Sequence, residues 1–251
     1  DLVKSLVAKH NIDCHLKPGI AHAAFSAREV AHEHAYVEHL QTRYGYDQIE
    51  TLDHDQLQAI CPSPSYVGGS LDMGAGHLHP LAYALGLAQA ADAAGVRIHE
   101  NSEVQGIEPG SRAIVRTKDG QVEADHVILA CNGYLGNLSQ PVARHVMPIN
   151  SFMIATEPLD EEAARSLIAN DYAVADSKFV VNYFRLSSDR RMLFGGRESY
   201  GYRFSKDIKG FVRKSMLNIF PQLASARIDY GWGGTLGITM SRMPHFTRLS
   251  G

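Results

Sequence analysis

The stretch VILACNGYLGNL, residues 127–138, decides how this chain is read. Val127 to Leu129 are large and aliphatic, and small Ala130 and Cys131 follow. The run then breaks on Asn132-Gly133, a turn pair, before Tyr134, Leu135 and Gly136. A short apolar run bounded by turn residues predicts a buried strand. Its abrupt end on small residues has two explanations: a tight connection, or a ligand that needs bare backbone at the strand's end.

The residues just upstream support a sheet. AIVRT (113–117) and QVEAD (121–125) flank Lys118-Asp119-Gly120, a hairpin signal, so the strand Asp125–Cys131 is expected directly after the hairpin. Further back, Pro80 stands at the favoured first position of a helix. Leu81, Leu85, Ala88 and Ala91 make an apolar stripe on it, and Gly95 stops it. VRIHE (96–100) and SEVQGI (102–107) read as a short strand and its continuation. Near the start, Ser26 and Glu29 have capping-box spacing ahead of a helix over 26–43 that ends at Gly45. Tyr66–Asp72 reads as a strand punctuated by Gly68-Gly69.

The second half is β-rich. NSFMIATEPL (150–159) is a strand closed by Pro158, and Asp160–Ile168 is a short helix. KFVVNYFRLSS and RRMLFGG flank a hairpin at Asp189-Arg190. Residues 206–220 form an amphipathic helix stopped by Pro221, and 226–240 form a strand interrupted by glycines. With no repeat or linker in view, two intertwined lobes fit this order better than two consecutive domains.

Composition narrows the function classes. The formal charge is −3, from 24 Lys+Arg against 27 Asp+Glu, so broad attraction to nucleic acid is not expected. No apolar run approaches the ~20 residues of a membrane helix, and the first residues lack a signal-peptide pattern. Cys14, Cys61 and Cys131 are widely spaced and odd in number, which predicts reduced thiols and a cytoplasmic setting. The chain starts without Met, in a helical pattern, and stops without a closing element, which reads as an internal piece of a longer protein.

Most chemical motifs weigh lightly. GAGHLHP (74–80) has His77 and His79 two apart, which sends their side chains to opposite faces of a strand, so capping or packing is expected before metal. His32, His34 and His39 lack the i, i+4 spacing of a helical metal pair and read as a solvated face. MGAG (73–76) is not a phosphate loop, and a full G-x-G-x-x-G is absent. No G-x-S-x-G occurs, and Cys131 reads as a small core residue rather than a nucleophile. LFGGRESYGYR (193–203) and DYGWGGTLGITMSRMPHF (229–246) combine glycines with aromatics. Either these glycines permit close packing of a sheet, or backbone passes close to a flat ligand walled by Tyr and Trp232.

Taken in order, GAGHLHP, ADHVILACNGYLG, DRRMLFGG and IDYGWGGTLGITMSRMPHFTRL resemble the FAD-dependent amine and amino-acid oxidoreductases of the D-amino-acid oxidase superfamily. The resemblance covers essentially the whole chain, and within the family it is to members acting on gamma-glutamylputrescine. It implies an α/β (α+β) fold, with a Rossmann-like FAD-binding domain, incomplete here, interleaved with an antiparallel-sheet substrate domain. The implied partition is 1–72 as a helix-bearing part of the substrate domain and 73–138 as part of the FAD domain. Residues 139–240 would be substrate domain, and 241–251 a return towards the FAD domain. The family's phosphate-binding G-x-G-x-x-G would precede this chain.

By the same resemblance, Val104 matches a position whose backbone contacts the adenine end of FAD. Ala130, Cys131, Asn132, Gly133, Tyr134 and Leu135 match the strand-end segment lining the cofactor. Trp232 matches a substrate-domain tryptophan. Family members acting on amino acids commonly carry an Arg four residues after it, to grip a carboxylate; here that position is Leu236, which favours an amine substrate. His77, Tyr183 and Trp232 are the substrate-side candidates, and no catalytic acid or base is assigned. The implied chemistry is hydride transfer from the amine-bearing carbon to flavin, then hydrolysis of the imine to an aldehyde and ammonia, with hydrogen peroxide from oxygen. The alternatives are a glycine, sarcosine or D-amino-acid oxidase-like or dehydrogenase-like flavoprotein, and a flavin-free module that binds small amines. A small-molecule amine partner is expected, with no metal, no nucleic acid and no membrane span.

Overall fold

The structure, a computed structural model, describes residues 2–201 and 203–246. Its helices are α1 (Leu2–His10), α2 (Ala27–Tyr44), α3 (His54–Ile60), α4 (Pro80–Ala93), α5 (Gln140–Ala143), α6 (Glu161–Leu167) and α7 (Ile208–Ile219). Its strands are β1 (Lys17–Ala24), β2 (Ile49–Leu52), β3 (Gly68–His77), β4 (Val104–Glu108), β5 (Ala113–Thr117), β6 (Gln121–Ala124), β7 (Val146–Thr156), β8 (Ala173–Asp176), β9 (Tyr183–Leu186), β10 (Met192–Tyr200) and β11 (Ile228–Thr239). The chain divides into two compact units. The larger is Asp1–Ala91, Phe152–Glu198 and Ser205–Gly233; the smaller is Asp92–Ser151, Ser199–Phe204 and Gly234–Gly251. The chain passes between units inside α4, β7, β10 and β11, and once more between Phe204 and Ser205. The first two passages fall at 91/92 and 151/152, against the boundaries of 72/73 and 138/139 expected from sequence. Of the expected return segment 241–251, residues 247–251 lie outside the described residues, as does Tyr202 in the aromatic-rich stretch.

An eight-stranded sheet in the order β11-β7-β10-β9-β8-β1-β3-β2 organises the larger unit. It is mixed, because β1 pairs parallel with β8 but antiparallel with β3. Alternation along the strands sends Ala21, Ala23, Val174, Phe184, Phe194, Phe152 and Ile154 to one face, where α3, α6 and α7 cover them. Helix α7 contributes Val212, Met216 and Ile219 to this core. Phe184 stacks on Phe194 at 5.5 Å and meets Phe220 edge-on at 4.9 Å, the offset arrangements aromatic rings prefer. The opposite face is partly covered by α2. Ser26 caps that helix by accepting from the Glu29 amide, and Gly45 closes it at φ 62°, donating to the Gln41 carbonyl. Ser70 on β3 donates to Glu33 on α2 at 2.6 Å, which pins helix to sheet.

The smaller unit holds the antiparallel sheet β4-β5-β6. The hairpin expected at Lys118–Gly120 joins β5 to β6, and the Thr117 amide donates to the Gly120 carbonyl. The strand expected over Asp125–Cys131 is not formed, nor is the one over Val96–Glu100. Ile128 is 89% exposed, and Val96 and Ile98 are also open. Apolar sequence suffices for strand propensity, but a strand needs ladder partners for its N–H and C=O groups. None pairs with these segments among the described residues. The α4 stripe is corrected too, since Leu81 and Leu85 are exposed. The helix instead brings Gly86 against Ile12, where a Cβ would come within 2.3 Å of that side chain.

Candidate functional site

The substrate-side candidates all lie in the larger unit. Tyr183 opens β9 on the face opposite the core, because its neighbours Asn182 and Phe184 are buried on the other side. Opposite it in register stands Gly195, whose Cβ would lie 2.1 Å from the Tyr183 ring. One of the ambiguous glycines therefore makes room for a protein aromatic ring. On β11, a Cβ on Gly231 would meet Lys209 and Ile208 of α7, so Trp232 points to the face away from that helix and is 43% exposed. Two residues beyond Tyr183, Arg185 donates to the Leu78 carbonyl at 3.0 Å, and burial lowers its pKa.

Leu78 adjoins His77, whose Nε2 lies 2.9 Å from the Asp171 carbonyl. A carbonyl can only accept, so Nε2 carries the proton and Nδ1 presents a lone pair. That Nδ1 is buried and has no hydrogen-bond partner among the described residues. Burial is the main cause of the lowered His77 pKa, partly opposed by the bond to Asp171. The imidazole is thus held neutral beside the Lys17–Asp171 ion pair. His79 instead caps α4, its Nδ1 accepting from the Ala82 amide. Among the described residues no cluster of His, Cys, Asp or Glu could hold a metal, and all three cysteines are free thiols.

The cofactor-side candidates lie in the smaller unit. Val104 stands on β4 opposite Thr117. Ala130 and Cys131 end the unpaired apolar segment, and Asn132–Tyr134 form a 3-10 turn, with Asn132 at φ 49°. This turn packs on the end of β11. The Asn132 side chain accepts from the Gly237 amide at 2.6 Å, and the Tyr134 hydroxyl accepts from the Thr235 amide at 3.0 Å. The latter bond is the chief reason the Tyr134 pKa is lowered. A Cβ on Gly133 would lie 2.6 Å from the Thr235 carbonyl oxygen, and one on Gly237 would lie 2.8 Å from the Asn132 carbonyl carbon. Both glycines serve backbone-to-backbone contact. Thr235 is held in turn by Asn150, which is buried and also donates to Ser199 and to the Arg203 carbonyl.

Beside this turn the exposed phenol ring of Tyr134, half-buried Cys131, the unpaired backbone of 127–131 and the open side chains of Ile128 and Leu129 form a polar and apolar strip. Such a strip suits one wall for a flat heteroaromatic group, stacking below and hydrogen bonds at the edge. The FAD dependent oxidoreductase family model matches residues 1–251. The chain belongs to that family.

The gamma-glutamylputrescine oxidoreductase of Escherichia coli (strain K12) is 39% identical over 250 residues, covering 99% of this chain and 58% of the relative. The probable oxidoreductase OrdL of Rhizobium meliloti (strain 1021) is 38% identical over 246 residues, covering 96% of this chain and 56% of the relative. The chain therefore spans a little over half the length of these relatives. Among solved structures, glycine oxidase from Geobacillus kaustophilus superposes with a TM-score of 0.78 at 21% identity, covering 97% of this chain and 65% of that one. L-Proline dehydrogenase from P. horikoshii gives 0.81 at 17%, covering 99% and 69%. These likenesses establish that the chain shares the mixed α/β fold of these two proteins. FAD is the family's cofactor. No helix among the described residues is long and apolar enough to cross a membrane.

Residue patterns did not single out Arg185, Asp171 or Lys17, whose grouping with His77 depends on strands far apart in sequence. Nor did they single out a 610 Å³ cleft between α2 and the open sheet face, lined by His22, Arg28, Glu29, His32, Glu33 and Asp176 among others. A local signal for it does exist. Arg28 with His32, and Glu29 with Glu33, are i, i+4 pairs on one helix, and His22 breaks an alanine run in β1.

Proposed function

We propose that the protein carries out FAD-dependent oxidative deamination of a primary amine, with gamma-glutamylputrescine the substrate, giving an aldehyde, ammonia and hydrogen peroxide. The observation that carries this reading is Leu236. It occupies the position where amino-acid-oxidising relatives are expected to carry Arg, and it sits on β11 directly against the Gly133 turn, 42% exposed. An aliphatic side chain there offers nothing to a carboxylate but tolerates an alkylamine. The 39% identity to an enzyme named for this substrate agrees with it.

Bound FAD supplies the two-electron acceptor for the hydride of the amine-bearing carbon. The chain's own residues bind and orient. Half-buried Tyr183 and exposed Trp232 offer aromatic surface that packs on a methylene chain and attracts an ammonium group. His77, held neutral, positions the β3–α4 junction and adds no positive charge to repel a cationic substrate. Ala130 to Leu135, with Val104, form the protein side of the cofactor site.

The test is anaerobic titration of the full-length protein, following the visible flavin bands. Bleaching by gamma-glutamylputrescine, with glycine, sarcosine and D-alanine at least ~100-fold less efficient in kcat/KM, is expected; that ratio is ~3 kcal/mol of discrimination. A protein without flavin bands, or one reduced faster by glycine or sarcosine, would sink the reading.

A further inference from the structure

The cleft beside α2 is continuous with the row of side chains that carries Tyr183. Ser70, His22, Ala175 and Tyr183 are in register across β3, β1, β8 and β9. All four lie on the sheet face opposite the core, because their strand neighbours Leu71, Ala21, Val174 and Phe184 belong to that core. At Ser70 the face is roofed by Glu33 of α2. From His22 onward the roof ends, and the cleft opens there.

The charges in the cleft fall into two groups. Asp176 is committed to structure: it accepts from the Asn182 amide and side chain, the Lys178 amide and the Tyr66 hydroxyl. Glu29 is committed too, accepting from the Phe25 amide and the Ser26 hydroxyl through Oε2 and hydrogen-bonded by the Ser177 side chain as well. Glu33 uses only Oε1, for Ser70, and Oε2 has no partner among the described residues. The side chains of Arg28, His22 and His32 make no hydrogen bond or ion pair among the described residues. What remains for a ligand is one guanidinium, one carboxylate oxygen and two imidazoles. A guanidinium and a carboxylate in one cleft match a zwitterion better than a simple anion or cation.

We propose that this cleft is a subsite for the zwitterionic α-amino-acid head of a γ-glutamylated amine, with Arg28 taking the α-carboxylate and Glu33 the α-ammonium. The proposal rests on the substrate reading above and extends it to the far end of the molecule. Length supports it. Two interstrand steps separate Tyr183 from His22, about 10 Å at ~4.8 Å each. In the extended substrate, the nine bonds from the terminal amine to the glutamyl Cα project to roughly 11 Å at ordinary bond lengths. An amine placed at Tyr183 therefore puts the amino-acid head at the cleft.

The experiment uses the full-length protein with two substrates, gamma-glutamylputrescine and N-butanoylputrescine, which has the same chain without the charged head. Arg28→Gln should lower the ratio of their kcat/KM values at least tenfold, mainly by raising KM for the glutamyl substrate, and Glu33→Gln should do so to a smaller degree. Arg43→Gln, in the last turn of the same helix, should leave the ratio unchanged. A ratio that Arg28→Gln does not move, or moves no more than Arg43→Gln, overturns the subsite while leaving the deamination reading standing. If the wild type does not oxidise gamma-glutamylputrescine, the substrate reading falls, and the cleft is judged by calorimetric binding of γ-N-methyl-L-glutamine. Binding abolished by Arg28→Gln supports the subsite, and no binding to the wild type overturns it.

Discussion

Two apolar runs of similar sequence meet opposite fates in this molecule. FMIAT (152–156), within β7, has Phe152 and Ile154 fully buried. VILAC (127–131) is just as apolar, yet it forms no strand and leaves Ile128 89% exposed and Leu129 37% exposed. The first lies between β11 and β10 in the large sheet, with helices over its core face. The second has no strand neighbour among the described residues. Hydrophobicity made both candidates for a strand, and partners decided between them.

The comparison breaks most sharply in the core. Phe152→Ala removes a ring that packs in the main cluster and edge-on to Phe211 at 6.0 Å, so it should cost about 3–5 kcal/mol in urea unfolding. A cost near that of an exposed site would mean that β7 is not the core strand described. Next in size is Gly133→Ala, at the turn where the second run ends. Its methyl would lie 2.6 Å from the Thr235 carbonyl oxygen, and backbone cannot swing aside as a side-chain tip can. A loss of about 1–3 kcal/mol is expected, typical of overpacking. In the full-length protein, loosened flavin binding, read by fluorescence of released FAD, should accompany it.

A smaller effect tests His77. Burial lowers its folded-state pKa below the unfolded value of about 6.5. The unfolded chain then binds the extra proton first as pH falls, so His77 costs no stability well above pH 6.5 and a growing amount below it. His77→Gln should flatten the decline of stability between pH 7 and pH 5.5, by at most about 1.4 kcal/mol per pH unit. An unchanged slope would show that the imidazole is freely protonated in the folded protein.

Most of the fold was legible where local rules act alone. The Ser26 cap, the Gly45 stop, the hairpins at Lys118–Gly120 and Asp189-Arg190, and α7 before Pro221 all follow from residues within a few positions of one another. What misled was context. The α4 stripe at Leu81 and Leu85 and the strands at 96–100 and 125–131 were read from apolar periodicity, which reports a preference for burial without supplying the surface that buries. The site shows the same division. Gly133 and Tyr134 stand out in sequence because turn chemistry is local, and the structure adds that they grip Thr235 and Gly237 about a hundred residues away. The grouping of Arg28, Glu33 and His22 in one cleft depends on how β1 and α2 pack, so only a faint i, i+4 signal marked it.

The smallest expected effect is the most informative about the opening contrast. Ile128→Ser in this 251-residue chain should change stability by no more than about 0.5 kcal/mol, because a side chain 89% exposed loses little contact when shortened. The same substitution in the full-length, flavin-loaded protein asks whether the run gains the strand partners it lacks among the residues described. If strands or cofactor cover Ile128 there, its loss should cost about 1.5–3 kcal/mol, the worth of burying an aliphatic side chain. The difference between the two costs then measures how much of this segment's strand character comes from its neighbours. Equal and negligible costs would show instead that VILAC stays open in both.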